Sequence, residues 1–335
     1  GYAGAVVLVA SVLDAGPAAV LLVLAAGSRL SSYIGATAGE IGFLRGIWMD
    51  GSRRLAWLED YAAAVAAAGD QPVPATLTGG IRLEHVCFAY PGTDRLVLDD
   101  LCLDLPAGAV VAVVGENGAG KTTLVKLLCK LYEPTGGRIL VDGRSLGRMD
   151  ADAWRSRLAG AFQDFFRFEL RARHSVGVGD LPCLDDEPAV AAAVGRAGAG
   201  DVVDDLAAGL DTQLGPTWPQ GVEVSFGQWQ KLALARGFMR TGPLLLVLDE
   251  PTAALDAETE HALFERYAAA ARAGGGITML VSHRFSTVRM ADLIVVLDGA
   301  RLVEAGSHAE LLARGGQYAE LYGIQAAAYR DPAPG

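Results

Sequence analysis

Residues 115–123 read Gly-Glu-Asn-Gly-Ala-Gly-Lys-Thr-Thr, a spacing suited to wrapping a backbone around a polyphosphate. Gly115, Gly118 and Gly120 let the chain curl so that successive N–H groups face one anion. A helix starting at this point adds the positive end of its dipole. Glu116, Asn117 and Ala119 complete the loop, Lys121 can reach β- and γ-phosphates, and Thr122 and Thr123 open the helix. The Thr122 hydroxyl is the one expected to face Mg2+. The pattern is G-x-x-x-x-G-K-[ST], and it carries this meaning only between a strand and a helix.

Three further groups have the chemistry to work beside such a loop. Residues 244–250, "LLLVLDE", form an apolar run ending in two carboxylates. Asp249 could hold Mg2+ through its waters, and Glu250 could polarise an attacking water as general base. Residues 279–285, "MLVSHRF", repeat the arrangement with His283 at the exit, where a γ-phosphate contact is expected. Gln163 follows another short apolar run, and its amide could orient water or bind Mg2+.

The stretch "VSFGQ" at 224–228 asks a narrower question. Ser225 and Gln228 have the capping-box spacing, and "GQWQKLALARGFM" supplies a helix behind them. A capped helix start is a complete structural explanation. The same N–H groups and the Ser225 hydroxyl could also bind an anion.

The elements that must position these residues begin near residue 81. "IRLEHVCFAY" and "LVLDDLCLDLPAG" alternate like antiparallel strands. "AVVAVVG" at 109–115 is continuously apolar, as a strand buried on both faces must be. It meets the glycine loop and then the helical "KTTLVKLLCKLY", so the motif has the context it requires. "PLLLVLDE", "GITMLVSH" and "ADLIVVLDG" supply three more buried strands. Between the two groups, about 150–240 reads as mainly helical, which gives an α/β domain with a helical subdomain.

Ahead of this domain the composition shifts. Residues 1–28 hold one charge, Asp14, in the break "LDAGP" between two apolar runs. Each run is shorter than the ~20 residues of a full membrane span. The region reads as the end of one span, a turn and the start of another, with a buried helical hairpin as the alternative. Arg45, Arg53 and Arg54 follow, a basic bias that places this end in the cytoplasm. Residues 40–68 carry apolar side chains at helical spacing, a stalk that Asp50-Gly51-Ser52 could interrupt. "GDQPVPATLTGG" at 69–80 is a linker. The expected organisation is therefore a transmembrane end and stalk at 1–68, the linker at 69–80, and the nucleotide-binding domain at 81–328.

The 335 residues carry 28 Lys and Arg against 39 Asp and Glu, a net charge of −11. That balance excludes a nucleic-acid-coating surface, so no nucleic-acid partner is expected. Cys87, Cys102, Cys129 and Cys183 form no CxxC pair and show no nearby His at metal spacing, so free thiols are expected. The first residue is Gly1 and no basic n-region follows, as expected of a piece of a longer protein.

In this order and spacing, "FAYPG", "GENGAGKTT", Gln163, "VSFGQ", "LVLDE", "AALD" and His283 resemble the nucleotide-binding domain of ATP-binding cassette (ABC) transporters. The likeness covers about 81–325, and residues 1–80 look like the tail of a fused exporter-type membrane domain. The resemblance implies a RecA-like P-loop NTPase core with an antiparallel β subdomain and a helical signature subdomain. It assigns Tyr90 to adenine, Asp249 and Glu250 to Mg2+ and water activation, Asp256 to communication across a dimer, and His283 to the switch. It also makes Ser225, Phe226, Gly227 and Gln228 the signature, whose donors reach a γ-phosphate held by the opposite subunit. Ser225 and Gly227 match the donor positions; Phe226 replaces the family's first glycine, and is expected to turn its ring onto a neighbouring apolar surface. The loop "GPTWPQGVE" at 215–223 is longer than the family's usual Gly-Glu-rich segment.

The implied activity is ATP hydrolysis with ATP and Mg2+, coupled to export across the plasma membrane with this domain in the cytoplasm. The implied partners are a second half-transporter (the same chain or another), membrane lipid and an export substrate that the sequence does not specify. The competing reading is a soluble cassette ATPase without a transport role; the apolar front and stalk stand against it. A P-loop kinase or GTPase fails on the signature, Gln163 and His283 together.

Overall fold

The apolar run Val110–Val114 (β3) is a strand in which all five residues are buried, because it has structure on both of its faces. Val111 and Val113 enter one hydrophobic core while Val110, Ala112 and Val114 enter another. A strand alternates its side chains between faces, so two apolar faces demand an unbroken apolar run. Leu245–Asp249 (β7) follows the same rule, with Leu245 and Val247 in the first core and Leu246 and Leu248 in a third.

The computed structural model describes residues 16–65, 69–162, 164–249, 274–282 and 284–330, together with Gly4, Val7, Leu8 and Glu265. The chain divides into two compact units, Gly1–Ala67 and Ala68–Gly335.

In the first unit, Pro17–Val65 is one α-helix of 49 residues. Pro17 sits at its first position, where a missing N–H costs nothing. Asp50-Gly51-Ser52 does not break it: the helix runs through all three residues, and Asp50 pairs with Arg54 one turn on at 3.0 Å. An isolated glycine costs a helix only ~1 kcal/mol, too little to stop a helix of this length. The second apolar run therefore continues past Arg29 within a single helix. The helix is long and apolar enough to cross a membrane by length and composition. At 1.5 Å per residue it extends about 74 Å, more than twice a ~30 Å hydrocarbon core. Leu22, Ile34, Phe43 and Trp48 are all exposed on it.

Among the described residues, the second unit forms two sheets. Gly80–Ala89 (β1), Leu96–Pro106 (β2), Gly136–Val141 (β4) and Arg144–Ser145 (β5) form an antiparallel sheet in the order β2-β1-β4-β5. The turn between β4 and β5 is Asp142-Gly143 with φ +47° and +77°, the two left-handed residues that a tight hairpin needs. The Asp142 carboxylate accepts from the N–H groups of Thr78, Gly79 and Gly80, at 3.1, 2.7 and 2.9 Å. Burial opposes its charge, but these hydrogen bonds prevail and hold the group below the usual carboxylate range. One aspartate thus ties residues 78–80 to a turn more than sixty residues away.

The larger sheet has the order β10-β9-β3-β8-β7-β6, where β6 is Leu158–Ala161, β8 Ile277–Val281, β9 Leu293–Asp298 and β10 Arg301–Gly306. Its five neighbouring strands β9, β3, β8, β7 and β6 run parallel, and β10 turns back along one edge. The segment expected to be helical, 150–240, needs one correction, because β6 within it is a strand of this sheet. Helices Ala172–Gly177, Glu187–Ala197, Gly200–Asp204 and Phe226–Gly237 then build a separate core, to which the sheet contributes Ala161, Leu246, Leu248 and Leu280.

Candidate functional site

Parallel strands deliver their ends to one edge of the sheet, and β3 lies where the chain order departs to both sides. That is where an open α/β sheet forms its crevice. The registers Val113↔Val281 and Val281↔Asp249 place Asp249 level with the end of β3, two strands away. Two spacings amount to about 10 Å. Gly115 follows β3, Ser282 follows β8, Asp249 ends β7 and Phe162 follows β6. Gln163, Glu250, Asp256 and His283 lie outside the described residues.

The glycine loop is built against the protein behind it. A Cβ on Gly115 (φ +149°) would stand 2.1 Å from the Leu297 carbonyl oxygen. One on Gly120 (φ +101°) would stand 2.7 Å from the Val97 carbonyl oxygen. Gly118, at φ +85°, would meet nothing within 4 Å. Two glycines are thus required by close approach, while the third needs only its left-handed turn and faces open space. Glu116, Asn117 and Gly118 are exposed at this rim, and Ala119 is buried beneath it. The Lys121 ammonium curls over the loop, donating to the carbonyls of Gly115 and Glu116 at 2.7 and 2.9 Å.

Helix Lys121–Leu128 starts directly from Gly120, with no side chain capping its N-terminus. Its far end is anchored instead, as the buried Trp154 indole donates to the Leu128 carbonyl at 2.8 Å. Thr122 is exposed at the helix start, whereas Thr123 is buried, its hydroxyl 3.0 Å from that of Tyr90. The Tyr90 ring is half-buried among Phe88, Tyr132 and the Lys126 ammonium, which lies 5.5 Å from its centroid. The exposed hydroxyl of Thr122 and the carboxylate of Asp249 are hard oxygen donors, a set that fits Mg2+. The open cradle at Gly118 fits a phosphate chain.

Helix Phe226–Gly237 begins with both arms of the capping box closed. Ser225 Oγ accepts from the Gln228 N–H at 3.3 Å, and Gln228 Oε1 accepts from the Ser225 N–H at 2.8 Å. Val224 before it is buried, and Trp229, Leu232 and Ala235 face the helical core. Phe226 lies half-exposed at the first turn. Its ring centroid is 5.5 Å from that of Phe165, and the Arg167 guanidinium lies 5.6 Å over it. The loop ahead is closed at its neck: Gly215 N–H donates to the Val222 carbonyl at 3.0 Å and Val222 N–H to the Gln213 carbonyl at 2.9 Å.

Arg236, on the same helix, has no counterpart among the sequence-derived site residues. It donates to the carbonyls of Phe166 and Ser175 at 3.0 and 2.8 Å and lies 4.4 Å over the Phe168 ring. Burial brings its guanidinium down to about 10. Phe226 and Arg236 together clamp the aromatic segment 165–168 that follows β6. The visible signal was the density of aromatics in "FQDFFRF". A groove of about 420 Å3 opens beside this segment, lined by Phe162, Phe165, Phe166, Arg155, Arg236 and Arg240 among others.

Residues 98–253 match the family model described as ABC transporter. The chain is 42% identical over 248 residues to the ATP-dependent lipid A-core flippase of Ralstonia nicotianae, covering 74% of this chain and 41% of that protein. It is 42% identical over 253 residues to the mitochondrial potassium channel ATP-binding subunit of Pongo abelii, covering 75% of this chain and 34% of that protein. The solved structure of a bacterial Atm1-family ABC exporter with ATP bound superposes with a TM-score of 0.70 at 34% identity, covering 78% of this chain and 45% of the other. The chain spans about two fifths of the length of the flippases that it matches. With the glycine loop, the strand order and these likenesses falling on the same residues, residues 98–253 carry the ATP-binding domain of the ABC transporter family, and the surrounding unit is similar to that of the exporters.

Proposed function

We propose that this chain supplies the ATP-hydrolysing part of a membrane exporter, with domains bounded as 1–68, 69–80 and 81–328. The observation that carries the reading is the convergence of the glycine loop, Asp249 and the ends of β6 and β8 on one sheet edge. ATP binds with its phosphates in the loop 115–123, its β- and γ-phosphates at Lys121 and its adenine against Tyr90. Thr122 and Asp249, with Gln163, hold Mg2+, which neutralises charge on the phosphates when bound. Glu250 takes the proton of the attacking water, and His283 contacts the γ-phosphate. Ser225, Phe226, Gly227 and Gln228 form the signature that meets the γ-phosphate of a second subunit, identical or different, and Asp256 serves communication with that subunit. The Phe226 ring lies against Phe165, as a signature with its ring turned aside requires.

Helix Pro17–Val65 crosses the bilayer and continues as the stalk, with Arg45, Arg53 and Arg54 marking the cytoplasmic side. Its exposed apolar side chains are the support for this arrangement. The test is Glu250→Gln in the full-length protein reconstituted in lipid. ATP binding should persist, the closed dimer should accumulate, and turnover should fall by about 100-fold or more, in line with losses on removing a general base. Turnover near wild type would refute the assignment.

A further inference from the structure

The outer face of the antiparallel sheet gathers four side chains that the nucleotide site does not use. His85 and Cys87 come from β1, Asp100 and Cys102 from β2. His85 Nδ1 lies 2.7 Å from Asp100 Oδ1, and Cys102 Sγ lies 3.6 Å from the same Nδ1. The ligand atoms of His85, Asp100 and Cys102 are all within 4.8 Å of one another, and all three residues are exposed. Cys87 Sγ is beside them, accepting from the Asp100 N–H at 3.3 Å, while Cys102 Sγ accepts from the His85 N–H at 3.3 Å. All four cysteines of the chain are free thiols. Spacing along the sequence shows no histidine at metal distance from them, whereas the fold brings His85 Nδ1 to Cys102 Sγ.

Backbone irregularity produces the cluster. The β1–β2 register slips on both sides of Val86, and His85 and Asp100 adopt φ +51° and +52°. A left-handed conformation costs a residue with a side chain about 1–2 kcal/mol. It is paid here twice, across one strand pair, and it brings an imidazole and a carboxylate to the same point. Strain of this kind concentrates at functional positions. Arg301 pairs with Asp99 at 2.8 Å, which leaves the neighbouring Asp100 to His85.

We propose that His85, Asp100 and Cys102 bind a thiophilic divalent metal ion of the Zn2+ class, with Cys87, whose sulfur stands outside that 4.8 Å group, turning in as the fourth ligand. In a tetrahedral site with Zn–S of ~2.3 Å and Zn–N of ~2.1 Å, the sulfur and nitrogen stand about 3.6 Å apart. The Cys102–His85 separation already has that value. The same geometry needs about 3.3 Å between nitrogen and oxygen, so the His85–Asp100 pair must open by roughly half an ångström, within the reach of two exposed side chains. Two sulfurs and an imidazole favour Zn2+ or Co2+ over Mg2+. The site is thereby chemically distinct from the hard-oxygen site beside the glycine loop.

The test uses the full-length protein, stripped with chelator, kept reduced, and titrated with Co2+. One equivalent should give a thiolate-to-cobalt charge-transfer absorption and visible bands of tetrahedral intensity. Zn2+ should displace them and millimolar Mg2+ should not. His85→Ala, Cys87→Ser and Cys102→Ser should each weaken Co2+ binding about 10-fold or more, on the scale of ligand-shell losses. Cys129→Ser and Cys183→Ser should leave the spectrum unchanged, and MgATP binding by every variant checks that it is folded. Absence of the charge-transfer band in the unmodified protein overturns the proposal, as does a band that survives Cys102→Ser. A band that survives only Cys87→Ser removes Cys87 and overturns the four-ligand form.

Discussion

Two helices of the ATP-binding unit begin at motifs that we propose read phosphate, and they begin in opposite ways. Lys121–Leu128 starts from a left-handed glycine with no side-chain cap. Phe226–Gly237 starts with Ser225 and Gln228 capping each other. Every helix leaves its first N–H groups without an intrahelical partner. The first helix leaves its start to water or a ligand; the second completes part of it alone. Ligand binding stabilises a protein in proportion to how selectively it binds the folded form, so the glycine loop suits lasting possession of a nucleotide. A self-capped start loses little when its ligand departs, which suits a contact that must be made and broken in each cycle.

This contrast is open to attack at three points. Lys121→Ala should have the largest effect, weakening ATP binding by about 10- to 100-fold, the worth of a hydrogen bond to a charged group. Titration calorimetry with single chains measures it, and the melting temperature without nucleotide should barely move. Ser225→Ala should do the reverse. Loss of the cap costs about 1 kcal/mol, a fall of ~2–4 °C in melting temperature for a unit of this size, with single-chain ATP affinity unchanged. If Ser225→Ala weakened single-chain binding as Lys121→Ala does, the division of labour would be wrong. Phe226→Gly should have the smallest effect, with turnover staying within about tenfold because the ring already lies against Phe165 and Arg167. A rise of several orders of magnitude would show that the ring obstructs the site.

The parts of this molecule legible in its sequence are those set by local chemistry. The glycine loop announces itself because left-handed turns and close approach admit few other residues. The capping box is legible because its partners are three residues apart. Strands β3, β7, β8 and β9 are legible because burial on both faces leaves an unbroken apolar run. What was hidden depends on distant contacts. Leu158–Ala161, "LAGA", is too short and its side chains too small to declare a strand, yet it leads to Gln163. The meeting of His85 with Asp100 and Cys102 follows from register slips in two strands, which no spacing along one strand encodes. Asp50-Gly51-Ser52 misled in the other direction, since a composition that breaks short helices is absorbed by a long one.

The pinned neck of the loop ahead of helix Phe226–Gly237 has a consequence for how this chain can change. Hydrogen bonds from Gly215 and Val222 close the loop where it meets the body of the domain, while Trp218 projects from it, half-exposed. Lengthening a closed loop costs little, about 0.6 kcal/mol for each doubling. The neck isolates Val224 and Ser225 from whatever happens at the tip. The segment is therefore a tolerant insertion point, where new surface can accumulate by mutation while the helix it precedes keeps its footing.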